Sequence, residues 1–122
     1  AHHVVARGAQ TFTLLNRYPY NNGHVMIAPY RHVGTLERLT PQEWGEMLRM
    51  SRQIMKKLTR TLGPQAWNVG LNLGRTAGAG IPGHLHLHIV PRWHGDTNFF
   101  PTISQTKVIS QSLDELYTLL TQ

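Results

Sequence analysis

The stretch His84-Leu85-His86-Leu87-His88-Ile89-Val90 alternates imidazoles with aliphatic side chains. A period of two marks a half-buried β-strand, because successive side chains leave a strand on opposite sides. The pattern predicts a strand over 84–90, stopped by Pro91. Leu85, Leu87 and Ile89 would face a core, with His84, His86 and His88 together on the other side. Three imidazoles side by side are a poor folding device, since polar rings buried without partners cost free energy. They point to chemistry, and two kinds compete. Three histidines on one strand face can ligate Zn²⁺. Alternatively, one ring is a nucleophile whose neighbours orient it and bind the substrate's oxygens.

The residues before the strand bear on that choice. Positions 74–83 are glycine-rich, and exposed backbone N–H groups in such a loop suit phosphate oxygens. A metal site needs no loop of this kind, and no acidic residue lies within the strand as a fourth ligand, although Asp96 follows it. Phosphate chemistry is therefore favoured. The loop carries no signature by itself: Gly78-Ala79-Gly80 with Gly83 completes no dinucleotide fingerprint, and no Gly-Lys-Ser/Thr ending makes a P-loop.

Further out, residues 4–6 and 12–15 have β character, and His24-Val25-Met26-Ile27-Ala28 reads as a buried strand ended by Pro29. Asn16 through Gly23 is dense in turn formers, with Asn22-Gly23 the strongest signal. Thr40-Pro41-Gln42-Glu43 is a helix start, with Thr40 as N-cap and Glu43 closing a capping box. Apolar residues recur at Trp44, Met47, Leu48, Met50, Ile54, Met55, Leu58 and Leu62, up to a stop at Gly63-Pro64. This predicts one long helix over about 41–62. A strand is expected over 67–73 and a short helix from Ser112 to Leu120. No internal repeat or linker interrupts the chain. The fold class is α+β, an antiparallel sheet of about five strands with a long and a short helix, in one domain over residues 1–122.

Composition narrows the function classes. The 122 residues suffice for one core, with 40% hydrophobic and 15% charged side chains. No stretch approaches the roughly 20 apolar residues that span a bilayer. There is no cysteine, hence no disulfide framework and no thiolate metal site. With no basic-then-apolar leader, the expectation is a cytoplasmic protein. Twelve Lys and Arg against six Asp and Glu give a formal charge of +6, which favours anionic ligands. The cations are scattered (Arg7, Arg17, Arg31, Arg38, Lys56-Lys57, Arg75, Arg92). That scatter suits a small phosphorylated substrate rather than a nucleic-acid track.

His-Leu-His-Leu-His-Ile-Val at 84–90 resembles the signature of the histidine triad (HIT) superfamily. Agreement extends over nearly the whole chain: Leu15 to His24, Pro29-Tyr30-Arg31-His32, Gly78-Ala79-Gly80-Ile81, Pro91-Arg92-Trp93 and Gly95 to Phe99. Together these are similar to the branch of bacterial HIT proteins resembling diadenosine tetraphosphate (Ap4A) phosphorylases and Fhit-type dinucleoside polyphosphate hydrolases.

The resemblance implies a HIT-like fold and an enzyme that cleaves nucleoside polyphosphates. In it, His86 attacks the α-phosphate to give a nucleotidyl-histidine intermediate. The carbonyl of His84 holds the second ring nitrogen of His86, His88 contacts phosphate oxygens, and His32 sits beside the triad. Asn16 binds ribose hydroxyls, Leu14 walls the base pocket, and Asn72 with the Gly78–Gly80 backbone lines the phosphates. Arg92 and Trp93 rim the cleft. A homodimer is implied, with sheets and long helices meeting across a two-fold axis. No membrane or specific nucleic-acid partner is expected. The chemistry requires no cofactor, although a divalent cation can accompany the substrate phosphates. The family's upstream cysteines are absent, so no structural zinc is expected. Pro82-Gly83 before the triad departs from the usual pattern. A nucleotide-binding signalling module with slow turnover, or a three-histidine metal-dependent hydrolase, are the alternatives. His24 reads as structural, His94 as a solvated turn residue, and His2 and His3 as terminal.

Overall fold

One long helix, whose ends are written locally in the chain, supports the sheet. The computed structural model describes residues 3–16, 23–77, 83–96 and 113–122. Helix α1 spans Pro41–Leu62. The Thr40 hydroxyl accepts from the Glu43 N–H at 3.0 Å, and the Glu43 carboxylate accepts from the Thr40 N–H at 2.9 Å. This is the reciprocal capping box. Gly63 ends the helix in the left-handed region, φ 58° and ψ 51°, and its N–H donates to the Thr59 carbonyl. Met47, Met50, Ile54 and Leu58 form the buried stripe. Trp44 and Leu48, which the sequence counts with them, are instead 36% and 47% exposed. Leu48 lies about 100° round the helix from Met47, outside the stripe.

The five strands are β1 Val4–Arg7, β2 Thr11–Leu15, β3 Val25–Pro29, β4 Ala66–Leu71 and β5 Leu87–Arg92. Their order is β1-β2-β3-β5-β4, and every neighbouring pair is antiparallel. After β3 the chain crosses by α1 to the far edge as β4, and β5 then inserts beside β3. Helix α2 covers Leu113–Leu120.

Two expected boundaries are corrected: β4 runs over Ala66–Leu71 rather than 67–73, and β5 is displaced as well. Strand β5 starts at Leu87 rather than His84, and it continues through Pro91 to Arg92. Pro91 is tolerated because β3 pairs with β5 only as far as Ile89, so on that side no ladder bond needs its N–H. His84 and His86 precede the ladder, yet the alternation holds: both are half-buried, while Leu85 between them is buried.

The core lies between α1 and one face of the sheet. Met47, Met50, Ile54 and Leu58 cluster with Leu15, Val25, Ile27, Leu87 and Ile89, joined by Leu116 and Leu120 of α2. The Lys57 ammonium donates to the Leu120 carbonyl at 2.9 Å, placing a cation at the C-terminus of α2. Glu46 pins the other end of the sheet to α1. One of its oxygens accepts from the Gln10 and Thr11 N–H groups and the Thr11 hydroxyl at 2.7–2.8 Å. Burial opposes its charge, but these donors outweigh burial and hold the carboxyl below its ordinary range.

Thr13 is fully buried beside this cluster, and its hydroxyl has no partner among the described residues. Replacing it with the similarly shaped valine removes the stranded group. Thr13→Val is expected to raise stability by about 1 kcal/mol, the scale of an unsatisfied buried hydroxyl. Denaturant unfolding checks this, and a lower midpoint in the variant would contradict it.

Candidate active site

The histidines lie on the sheet face that α1 leaves uncovered. Cross-strand pairs share a face, and the register sets Leu14 opposite Met26, Met26 opposite His88, and His88 opposite Gly70. A row therefore crosses the sheet as Leu14, Met26, His88, Gly70. One step along the strands, Asn16 is opposite His24, since Leu15 pairs with Val25 and the Asn16 N–H donates to the His24 carbonyl at 2.9 Å. Val90 and Asn68 are opposite one another at the same level. His86 follows on this face in the other direction, two residues before His88.

Five imidazoles form a continuous line. Ring centroids are 5.2 Å apart for His32 and His84, 5.4 Å for His84 and His86, 6.3 Å for His86 and His88, and 5.2 Å for His88 and His24. The His84 ring donates through Nε2 to the Pro29 carbonyl at 2.8 Å, which ties the start of the histidine run to the end of β3. His32 is positioned by its neighbour in sequence. Arg31 donates to both oxygens of Glu43 at 2.9 Å and to the Arg38 carbonyl at 2.7 Å, fastening the 31–38 segment to the start of α1. The Arg31 hydrogen bonds outweigh burial and, with Thr40, hold the Glu43 carboxyl down to about 2. Gly83 lies against His32: a Cβ there would come within 2.8 Å of the His32 Nε2.

His86 is central in this line. Burial, and then the neighbouring His84 and His88 rings, push it down to about 4. It is therefore a neutral imidazole with a free lone pair at physiological pH, the state a nucleophile requires. Among the described residues its ring takes no hydrogen bond, so the carbonyl of His84, expected to hold it, does not do so here. Packing between His84 and His88 orients it instead. Among the described residues no three His, Asp or Glu side chains gather as metal ligands do.

Beside His88 the sheet face opens into a hollow of about 390 Å³, lined by His24, His88, Asn68, Gly70, Asn72 and Val90 among others. This is within the size range of small-ligand sites. Leu14, Asn16 and Asn72 thus lie on or beside one surface with the triad. Arg92 is on the same face of β5 but is engaged elsewhere: its guanidinium donates to both Asp96 oxygens, at 2.8 and 2.9 Å, and to the Asn68 side chain. Trp93 donates its backbone N–H to Asp96 at 3.0 Å, and with Arg92 and His94 it borders a separate hollow of about 370 Å³. Four residues separate Arg92 from His88, roughly 13 Å along a strand. Gly78 and Gly80 lie outside the described residues, as do Ile81, Pro82 and Thr97 to Phe99.

One contact is not foreseen in the sequence. His24, which reads there as structural rather than catalytic, meets His88: its Nε2 is 3.0 Å from the His88 Nδ1, while its Nδ1 is 2.9 Å from the Asn16 side-chain amide. The available signal was strand alternation, which puts residue 24 on the face of Met26. Only the β3–β5 register makes that the face of His88.

Residues 1–95 match the family model described as the HIT domain. The AP-4-A phosphorylase of Mycobacterium tuberculosis is 46% identical over 117 residues, which cover 96% of this chain and 60% of that protein. The asymmetrical bis(5'-nucleosyl)-tetraphosphatase of Schizosaccharomyces pombe is 34% identical over 93 residues, 76% of this chain and 50% of its own. The chain thus spans 50–60% of the length of these two curated relatives. The solved Caenorhabditis elegans NitFhit protein superposes with a TM-score of 0.79 at 25% identity, covering 98% of this chain and 26% of that one. A Zn-bound histidine triad family protein from Mycobacterium smegmatis gives 0.80 at 23% identity, covering 99% and 82%, a likeness of fold.

Proposed function

This chain belongs to the HIT family, and we propose on that premise that it cleaves dinucleoside polyphosphates such as Ap4A through a nucleotidyl adduct on His86. The observation that carries the reading is the neutral His86, midway along a line of imidazoles on an open sheet face beside a ligand-sized hollow. A ring nitrogen of His86 attacks the α-phosphorus. The N–P bond forms as the P–O bond to the departing nucleotide breaks, and the imidazole ring carries the positive charge. A second acceptor then forms a new O–P bond as the N–P bond breaks, and its proton goes to water. Phosphoryl chemistry of this kind needs positioning and charge neutralisation above all.

In this reading His84 braces His86, His88 contacts phosphate oxygens, and His32 stands beside His84. Asn16 and Leu14 receive the nucleoside, Asn72 and the Gly78 and Gly80 backbone line the phosphates, and Arg92 with Trp93 rims the cleft. No resident cofactor is required, and a divalent cation accompanies the substrate phosphates. The same reading makes the protein a cytoplasmic homodimer. Supporting the pairing, β4 is a sheet edge with Val69 50% exposed, and α1 exposes Trp44 and Leu48. No helix among the described residues is long and apolar enough to cross a membrane.

The likeness to the Mycobacterium tuberculosis AP-4-A phosphorylase favours phosphate over water as the second acceptor. Incubation with Ap4A, with and without inorganic phosphate, separates the outcomes. ADP plus ATP formed only with phosphate is the expected result. AMP plus ATP identifies water as the acceptor. Nucleotide binding with no product would overturn the enzymatic reading in favour of a binding module.

A further inference from the structure

The reactive end of the histidine run lies ahead of the sheet's ladders. Both strands beside β5 pair with it only from Leu87 onward, at Ile27 of β3 and Leu71 of β4. His84, Leu85 and His86 precede those pairs, and two bonds tie them to one short segment after β3. The Leu85 N–H donates to the Val33 carbonyl at 2.7 Å, and the His84 ring to the Pro29 carbonyl at 2.8 Å. Leu85 and Val33 are both buried, and Gly83 packs directly on His32. Residues 29–33 are thus the seat of the reactive end, and the seat has its own anchors. The Tyr30 N–H still donates to the Gln10 carbonyl of the sheet, at 3.0 Å. Beyond it Arg31 takes over, its guanidinium spanning both Glu43 oxygens at 2.9 Å and donating to the Arg38 carbonyl at 2.7 Å. A forked arginine–carboxylate pair fixes angle as well as distance. Glu43 is 2% exposed and stands in the first turn of α1, and it keeps its charge throughout the neutral range.

We propose that Arg31 and Glu43 are positioning residues for His86: the pair locks residues 29–33 onto the start of α1, and that segment seats His84, Leu85 and His86. In this role they act through backbone bonds and not on substrate. Leu85 is the pivot, because its N–H is tied to Val33 while its neighbours His84 and His86 point to the opposite face. A shift of Val33 moves Leu85 and carries the His86 ring away from the phosphorus. Displacement by about 1 Å, caused far from the chemistry, can cost roughly 100-fold in rate. Glu43 therefore has two tasks, since the carboxylate that caps α1 also holds the fork of Arg31. The catalytic consequence rests on the proposed attack by His86, whereas the placement of the segment does not.

Arg31→Met alone would leave the buried Glu43 carboxylate unpaired and destabilise the fold in its own right. The test therefore uses Arg31→Met/Glu43→Gln in the whole chain. There the glutamine oxygen still accepts from the Thr40 N–H, and no buried charge is stranded. Amide hydrogen exchange without ligand should show the Leu85 N–H exchanging at least about 10-fold faster than in wild type. Amides of α1 and of the β3–β5 ladder should keep their rates. With Ap4A, kcat is expected to fall about 10- to 100-fold while KM changes little. Arg31→Lys keeps the charge but not the fork. It should show the same changes to a smaller extent, and it serves if the double variant does not fold. An unchanged Leu85 exchange rate would overturn the proposal. So would an acceleration spread evenly over all amides, the mark of a loss of global stability. Faster Leu85 exchange with an unaltered kcat would overturn the positioning of His86. If wild-type protein turns over no Ap4A while Leu85 exchange responds as expected, the functional reading fails and the seat stands.

Discussion

His86→Ala is expected to abolish turnover of Ap4A, by at least about 10,000-fold, while nucleotide binding stays largely intact. A removed nucleophile takes away the covalent route itself, and losses of this order follow when such a group is deleted. Binding survives because the nucleotide is held by groups other than the attacking nitrogen. The bond from that nitrogen forms only as the reaction proceeds, so its loss falls on kcat. Little damage to the fold is expected, since His86 is half-buried on the face opposite the α1 core. Product chromatography measures turnover, and titration calorimetry with a slowly cleaved analogue measures binding. A variant retaining more than a tenth of wild-type turnover would refute attack by His86.

The acid limb of kcat/KM gives the same assignment a second handle. With His86 held at about 4, attack should be lost on acidification only as the pH approaches that value. An ordinary histidine would already be half protonated near pH 6.5.

The features that could be read from the sequence are those decided by near neighbours. The α1 bounds follow from Thr40, Pro41, Glu43 and Gly63, all within four residues of the bonds they make or complete. The shared face of His84, His86 and His88 follows from strand alternation alone, even though the ladder itself begins only at Leu87. What escaped depends on which strands meet. His24 and His88 are 64 residues apart and touch because β5 inserts beside β3. Glu46 reads as one more charge on a helix, yet it caps the β1–β2 turn from 35 residues away. Arg92 belongs to the expected cleft residues, and its occupation by Asp96 and Asn68 needs the β4–β5 register.

Unfolding free energy should fall steeply as the pH drops from 6.5 to about 4.5, ahead of the main loss of the carboxylates. Burial holds His24 and His86 down to about 4 in the folded chain, against 6.5 when unfolded. In that window the unfolded chain binds protons that the folded chain refuses, so stability rises with pH there. It is whole above pH 6.5 and falls until pH reaches about 4. Near pH 5, unfolding should take up roughly two protons, and by pH 4 the loss, reduced by solvent screening of these half-buried rings, should be on the order of 3 kcal/mol. That is a sizeable share of the stability of an ordinary domain. Glu43 acts in a later window. Its depressed carboxyl stabilises the fold above its unfolded value of 4.5, and this is lost as the pH falls towards 2. Urea unfolding at pH 7, 5.5, 4.5 and 3 resolves the two, and the double variant His24→Gln/His86→Gln should weaken the first stage to the part that buried His88 contributes while leaving the second unchanged. A wild-type unfolding free energy that holds level from pH 7 to 4.5 would mean that these two rings are not kept neutral by the fold. The assignment of His86 as a ready nucleophile would then lose its electrostatic basis.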